Sequence, residues 1–139
     1  MEVKDAGAAV FAIGSEIVMR NITMSNVQAN QGASLSLSYG SDLLVHDSAF
    51  SNLTAFTNGG ISLLDASAEI YDSSFFNCTA VSSGSGIYAD YSGVLMNNTI
   101  FNDMQANNGA TVFALNDAEL NITHSVFRNC TTTIGVINL

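Results

Sequence analysis

The chain contains no proline and very few basic residues. Proline cannot donate a backbone hydrogen bond, so its absence suits a chain built of uninterrupted β ladders. Three Lys and Arg residues stand against twelve Asp and Glu, which gives a formal net charge of −9. Nucleic-acid binding needs clustered cations, and Lys4, Arg20 and Arg128 are far apart in the sequence. We therefore predict no nucleic-acid partner.

Long apolar runs are also missing. No segment approaches the roughly 18–20 apolar residues that cross a bilayer, so we expect no membrane insertion in this segment. The first ten residues, MEVKDAGAAV, lack the basic start and apolar run of a signal peptide. The hydrophobic content of 47% is nevertheless ample for one core, and alternating apolar residues recur while helical periodicity is scarce. These features indicate an acidic, all-β protein.

A short motif recurs five times. It is MSNVQAN at 24–30, FSNLTA at 50–55, FFNCTA at 75–80, FNDMQAN at 101–107 and FRNCTT at 127–132. The third residue of each copy is Asn26, Asn52, Asn77, Asp103 or Asn129. Successive members of this set are 26, 25, 26 and 26 residues apart. A fixed period of this length is the signature of a solenoid.

Each repeat also contains two alternating runs, such as Ile61-x-Leu63 and Ala68-x-Ile70. Alternation of this kind predicts short strands with one buried face. The period is too short for a propeller blade, and the chain lacks the dense leucines of a leucine-rich repeat and the calcium turns of nonapeptide repeats. We predict an all-β, right-handed parallel β-helix of about five coils, which would be roughly 24 Å long at 4.8 Å per coil.

Two columns of the repeat have clear physical roles. The first is a core stack, in which aromatic rings add offset contacts to simple burial; its members are Met24, Phe50, Phe75, Phe101 and Phe127. The second is a ladder of asparagines at a bend, expected to point inward and to share amide hydrogen bonds between coils. Asp103 interrupts this ladder; we favour a near-isosteric substitution there over a metal-binding or catalytic carboxylate.

The two cysteines, Cys78 and Cys130, share a column two coils apart. Strand spacing separates their Cα atoms by roughly 9–10 Å, which is beyond the reach of a disulfide. We predict two free, mostly buried thiols. No zinc-type spacing of Cys or His exists in the sequence.

Six Asn-x-Ser/Thr sequons occur in the chain. Three of them, at Asn52, Asn77 and Asn129, coincide with the ladder and are expected to stay bare. The other three, at Asn21, Asn97 and Asn121, fall on predicted outward positions. These three are the candidate N-glycosylation sites if the source glycosylates proteins, whereas in a bacterium all six would be incidental.

Catalytic chemistry is hard to assemble from this sequence. Asp47 and Asp72 share a corner column with Asn98 and His124, so a weak calcium or acid-pair site there is one interpretation. Solvated turn residues are the interpretation we favour. Glu16, Asp42 and Glu119 share another column, interrupted by Ser67 and Gly93, and are expected to form a solvated edge. We predict no catalytic residue, no metal and no cofactor.

The glycine-led starts Gly59-Gly60-Ile61 and Gly109-Ala110 alternate with Phe50-Ser51-Asn52 and its equivalents, and together they resemble the pectin-lyase-like right-handed β-helix superfamily. Within it, the repeats look most like those of polymorphic outer-membrane proteins and adhesin-like surface proteins, although their Phe-x-x-Asn motif is one residue longer. The resemblance implies a surface or filament segment with no catalytic residues to carry over.

We therefore interpret residues 1–139 as a single β-helix segment without visible caps, forming part of a longer solenoid. The expected role is structural or adhesive and non-enzymatic, in an extracellular or cell-surface protein or filament. Expected partners are neighbouring coils or protomers and surface glycans or proteins. The alternative is a non-catalytic portion of a carbohydrate-active β-helix enzyme, such as a polysaccharide lyase or hydrolase.

Overall fold

The backbone winds through the same three directions in every repeat. The computed structural model describes residues 9–29 and 34–139, together with the backbone of residues 2–3. Lys4 lies outside these residues. In chain order the strands of the described part are β1 (Glu2–Val3), β2 (Val10–Ile13), β3 (Glu16–Arg20), β4 (Thr23–Ser25), β5 (Gln28–Ala29), β6 (Leu35–Ser38), β7 (Asp42–His46), β8 (Ala49–Ser51), β9 (Thr54–Thr57), β10 (Ile61–Leu64), β11 (Ser67–Tyr71), β12 (Ser74–Phe76), β13 (Thr79–Asp90), β14 (Gly93–Asn97), β15 (Ile100–Asn102), β16 (Gln105–Leu115), β17 (Glu119–Thr123), β18 (Val126–Arg128), β19 (Thr131–Thr132) and β20 (Ile137–Asn138).

These strands form three sheets, and every pairing between described strands is parallel. Sheet 2 has the order β17-β14-β11-β7-β3, and sheet 3 has the order β18-β15-β12-β8-β4. Sheet 1 contains the other ten strands. Each strand therefore pairs with its equivalent one repeat away, and the chain is a β-solenoid of about five coils. The predicted fold class is confirmed.

The core is made of stacked equivalents. In sheet 3 the rings of Phe50, Phe75, Phe101 and Phe127 stack with centroids 4.8, 4.8 and 4.9 Å apart and nearly parallel planes. The three inner rings, those of Phe50, Phe75 and Phe101, are buried, and the two end members, Met24 and Phe127, are half-buried. Each coil thus covers the next, because the alternation of the sequence turns the same positions inward in every repeat.

Sheet 1 departs in two coils from the expected pattern of strand, loop and glycine. There the strand equivalent to β9 continues without a break into the strand equivalent to β10, so β13 has 12 residues and β16 has 11. Glycines permit this close approach of neighbouring coils: a Cβ added at Gly60 would collide with the backbone carbonyl of Gly86. The equivalent glycine of the preceding repeat, Gly32, lies outside the described residues.

Candidate functional site

Two of the corners are built alike in every coil. The corner between sheets 2 and 3, which we call the mixed corner, consists of Asn21, Asp47, Asp72, Asn98 and His124. The corner between sheets 3 and 1, which we call the amide corner, consists of Asn26, Asn52, Asn77, Asp103 and Asn129. All ten residues have φ between 49° and 57°. Asn, Asp and His are the residues enriched in this left-handed conformation, so the backbone explains the residue types at both corners.

The amide corner forms a hydrogen-bonded ladder on the surface. The Asn52 side-chain amide donates to Oδ1 of Asn26 at 3.1 Å, and the Asn77 amide donates to Oδ1 of Asn52 at 2.8 Å. These three side chains and that of Asn129 are exposed, so the expectation that they point inward is wrong. The inward direction belongs to the residues one position later, such as Leu53 and Met104, which are buried.

Asp103 alters the ladder because a carboxylate has no hydrogen to donate. Its Oδ2 instead accepts a hydrogen bond from the Asn102 side chain in the same coil, at 2.9 Å. Its backbone N–H donates to the Arg128 carbonyl at 3.1 Å, which is equivalent to the bonds made by the backbone N–H groups of the three preceding asparagines of the ladder. Asp103 thus keeps the bend while changing the side-chain pairing.

The mixed corner brings together a histidine and two carboxylates. His46 precedes the corner on the outer face of sheet 2, and its Nδ1 lies 2.8 Å from Oδ2 of Asp47. Its Nε2 lies 3.4 Å from Oδ2 of Asp72 in the next coil. Asn98 donates from its amide to Asp72 Oδ1 at 2.7 Å. His46 therefore lies between carboxylates of two neighbouring coils, with one carboxylate facing each ring nitrogen.

A cation could be held by the same three side chains, since their donor atoms lie within 4.8 Å of one another. Asp47 and Asp72 are exposed, and His46 is half-buried. The sequence had placed Asp47 and Asp72 together but had not joined His46 to them, because His46 lies on a strand and not at the corner. The same distances also fit hydrogen bonds between the imidazole ring and the carboxylates.

A column of hydroxyl groups lies directly behind the mixed corner and was not predicted from the sequence. Its members are Ser48, Ser73, Thr99 and Ser125. The hydroxyl of Ser73 donates to the Tyr71 carbonyl at 2.6 Å and accepts the Ser48 N–H at 3.1 Å. Ser48 and Ser125 make the equivalent pairs of bonds. The signal was available, since these residues recur at the same spacing as the phenylalanines.

The two thiols lie one position after the amide corner. Both are free; Cys78 is buried and Cys130 is half-buried. The Cys78 thiol donates to the Phe76 carbonyl at 3.5 Å. The serines of the hydroxyl column likewise donate to the carbonyl of the residue two positions before them. Burial raises the pKa of Cys78 to about 11, because a thiolate is poorly solvated in an apolar core.

Exposure does not separate the candidate glycosylation sites as expected. Asn21 and Asn121 are exposed and Asn97 is half-buried, but the ladder residues carrying sequons are exposed as well. The Asn97 sequon has an additional constraint, because the hydroxyl of its Thr99 is buried and donates within the corner to the Asn97 carbonyl at 3.3 Å. At Asn21 and Asn121 the threonine of the sequon is exposed, so burial does not constrain these two sites in this way.

The coil geometry and the left-handed corners define a parallel β-helix. A family model described as a right-handed β-helix region matches residues 2–138, so the chain belongs to that family. This agrees with the resemblance to the pectin-lyase-like superfamily. No curated protein and no solved structure matches the chain. Within the described residues, no helix is long and apolar enough to cross a membrane.

Proposed function

We propose that this β-helix is a structural or adhesive element of an extracellular or cell-surface protein or filament, and that it does not catalyse a reaction. The observation that carries the proposal is the unbroken register of sheets 2 and 3. Along sheet 2, Ile17, Leu43, Ala68, Val94 and Leu120 follow one another in neighbouring strands without a bulge.

Such a register suits a spacer. Each added coil extends the rod by about 4.8 Å and presents the same outward positions, so length and surface grow together. The interior supports stiffness, since the phenylalanine stack continues through four coils. Expected partners are neighbouring coils or protomers and glycans or proteins of a surface.

Electron microscopy of the native assembly would test this function. We expect a filament or surface fibre and, if the source glycosylates proteins, density at Asn21, Asn97 or Asn121. A compact particle that cleaves an acidic polysaccharide would contradict the proposal and favour the alternative, a portion of a carbohydrate-active enzyme.

A further inference from the structure

The outer face of sheet 2 contains a groove that follows the solenoid axis. One part has a volume of about 550 Å³ and is lined by residues that include Glu69, Gly93, Leu95, Glu119 and Asn121. A second part of about 220 Å³ continues it over the earlier coils, past Glu16, Asp42 and Leu44. The two parts share Ser67 and Glu69, so together they span the five strands of the sheet.

Gly93 lines the larger part of this groove. The outward column is Glu16, Asp42, Ser67, Gly93 and Glu119, and only Gly93 in it lacks a side chain. A Cβ placed on Gly93 would meet no atom within 4 Å. The glycine is therefore not required by packing, and its effect is to leave a notch in the outer face.

The groove combines negative charge with aliphatic surface. Glu16, Glu69 and Glu119 are exposed on it, and no Lys or Arg of the described chain forms an ion pair with them. Glu69 accepts a hydrogen bond from the Tyr71 hydroxyl at 3.0 Å, which raises the pKa of Tyr71. The central column of the same face carries half-exposed Val18 and the half-buried residues Leu44 and Leu95.

We propose that this groove binds an extended cationic segment of a partner protein. A Lys or Arg side chain of the partner enters the notch at Gly93 between Glu69 and Glu119, and its apolar neighbours pack on Leu44 and Leu95. The distance from the first to the fifth strand of the sheet is about 20 Å, which is the length of roughly six extended residues. The inference rests on the proposed function, because it names the class of partner that an adhesive surface would hold.

Charge and surface chemistry together favour this occupant. The groove carries several carboxylates in a chain of formal net charge −9, so an acidic peptide or a nucleic acid is repelled. The aliphatic column favours side chains such as leucine beside the cation, whereas a small free amine would leave that column uncovered.

The test measures binding of a fluorescent eight-residue peptide in which lysine alternates with leucine and threonine. The protein is the whole chain from a bacterium that adds no N-glycans, so that Asn121 is bare. We expect saturable binding that weakens with salt, and no binding of the same peptide with glutamate in place of lysine.

Two groove variants and one matched control decide the site. Gly93→Leu fills the notch, and the double variant Glu69→Gln/Glu119→Gln removes both charges; each should weaken binding about tenfold or more with an unchanged melting temperature. The control Asp90→Asn/Asp103→Asn removes the same charge from sheet 1 and the amide corner. It should leave binding within about twofold.

Unchanged binding by Gly93→Leu would overturn the proposal, as would an equal loss in the control, which would indicate diffuse attraction to an acidic protein. Tighter binding of a glucosamine oligomer than of the peptide would replace the peptide by a cationic glycan. Because the peptide assay needs no assembly, its failure leaves the proposed structural role intact, and microscopy of Gly93→Leu fibres tests that role separately.

Discussion

The amide corner and the mixed corner have the same backbone but differ in the residue behind the bend. At the amide corner the links between coils are side-chain amides on the surface, as between Asn77 and Asn52, and the residue behind them is apolar, as in Leu53. At the mixed corner surface links also occur, as at Asp72, and hydroxyls such as that of Ser73 add a link on the inside. A left-handed bend therefore favours Asn, Asp or His at the corner itself but does not fix the residue behind it.

The largest expected difference concerns thiol reactivity behind the amide corner. Cys78 occupies the place that serine takes at the mixed corner, and burial raises its pKa to about 11 from 9.0. At pH 8 its thiolate should be about a hundredfold scarcer than in the unfolded chain. Iodoacetamide labelling of a Cys130→Ser variant, followed by mass spectrometry, would measure this; labelling as fast as in urea would contradict it.

The same shift has a consequence for stability. The folded-state pKa of Cys78 lies above the unfolded value, so its contribution is fully present below about pH 9 and is lost as pH rises towards about 11. Urea denaturation at several pH values should show this loss. Cys78→Ser, which removes the thiol, is the control and should show a smaller loss over that range.

Breaking the internal link should have the next largest effect. Ser73→Ala removes the acceptor of the Ser48 N–H, and an unpaired buried N–H costs about 2 kcal/mol in the free energy of unfolding. Urea denaturation would measure it. The neighbouring Ser74→Ala, at a half-buried position on the outer face of sheet 3, should cost less than about 0.5 kcal/mol. Equal losses in the two variants would show that the hydroxyl column contributes little.

Breaking the external link should cost less. Asn52→Ala removes two exposed hydrogen bonds and strains a residue with φ of 53°, for a loss of about 1–2 kcal/mol in the free energy of unfolding. Asn52→Gly removes the same bonds without the strain and should be the more stable variant in thermal denaturation. If alanine proved as good as glycine, the left-handed backbone would not be what selects asparagine here.

The smallest effects should differ between the two corners, with stabilisation expected only at the amide corner. Asp103→Asn restores a donor towards Asn77 and should raise the free energy of unfolding by about 0.5 kcal/mol. Asp72→Asn keeps the bend but removes a carboxylate from beside His46, so it should lower stability slightly or leave it unchanged. Both changes are measurable as shifts of the urea midpoint. Stabilisation by both variants would mean that removing charge, not extending the ladder, is what matters.

The sequence predicted what depends on periodicity. The 25–26-residue spacing and the alternation at Ile61 and Leu63 report burial, so the sheets, the coil count and the phenylalanine stack followed from them. The outward direction of Asn52 did not follow, because a left-handed residue reverses the alternation that a strand pattern assumes. Residue type alone does not show on which side of such a bend a side chain lies.

The groove was missed for a different reason. Glu16, Asp42 and Glu119 were correctly placed in one column, and their exposure agrees with the predicted solvated edge, but the hollow beside them was not predicted. The hollow depends on Gly93, and a glycine in a strand pattern does not reveal whether its missing side chain leaves space or admits a neighbouring backbone. Gly60 and Gly93 look alike in sequence, yet a Cβ would collide at the first and fit freely at the second.

The equivalence of the coils also bears on how such a gene can change. Ser51 and Phe76 are paired positions that precede Asn52 and Asn77. Joining Ser51 directly to Asn77 would therefore delete one coil and still let the remaining phenylalanines of the core stack lie on one another. Unequal recombination between repeats therefore yields a shorter or longer rod in which each new junction resembles the old ones. Rod length can drift in whole coils while the chemistry of each remaining coil is inherited unchanged.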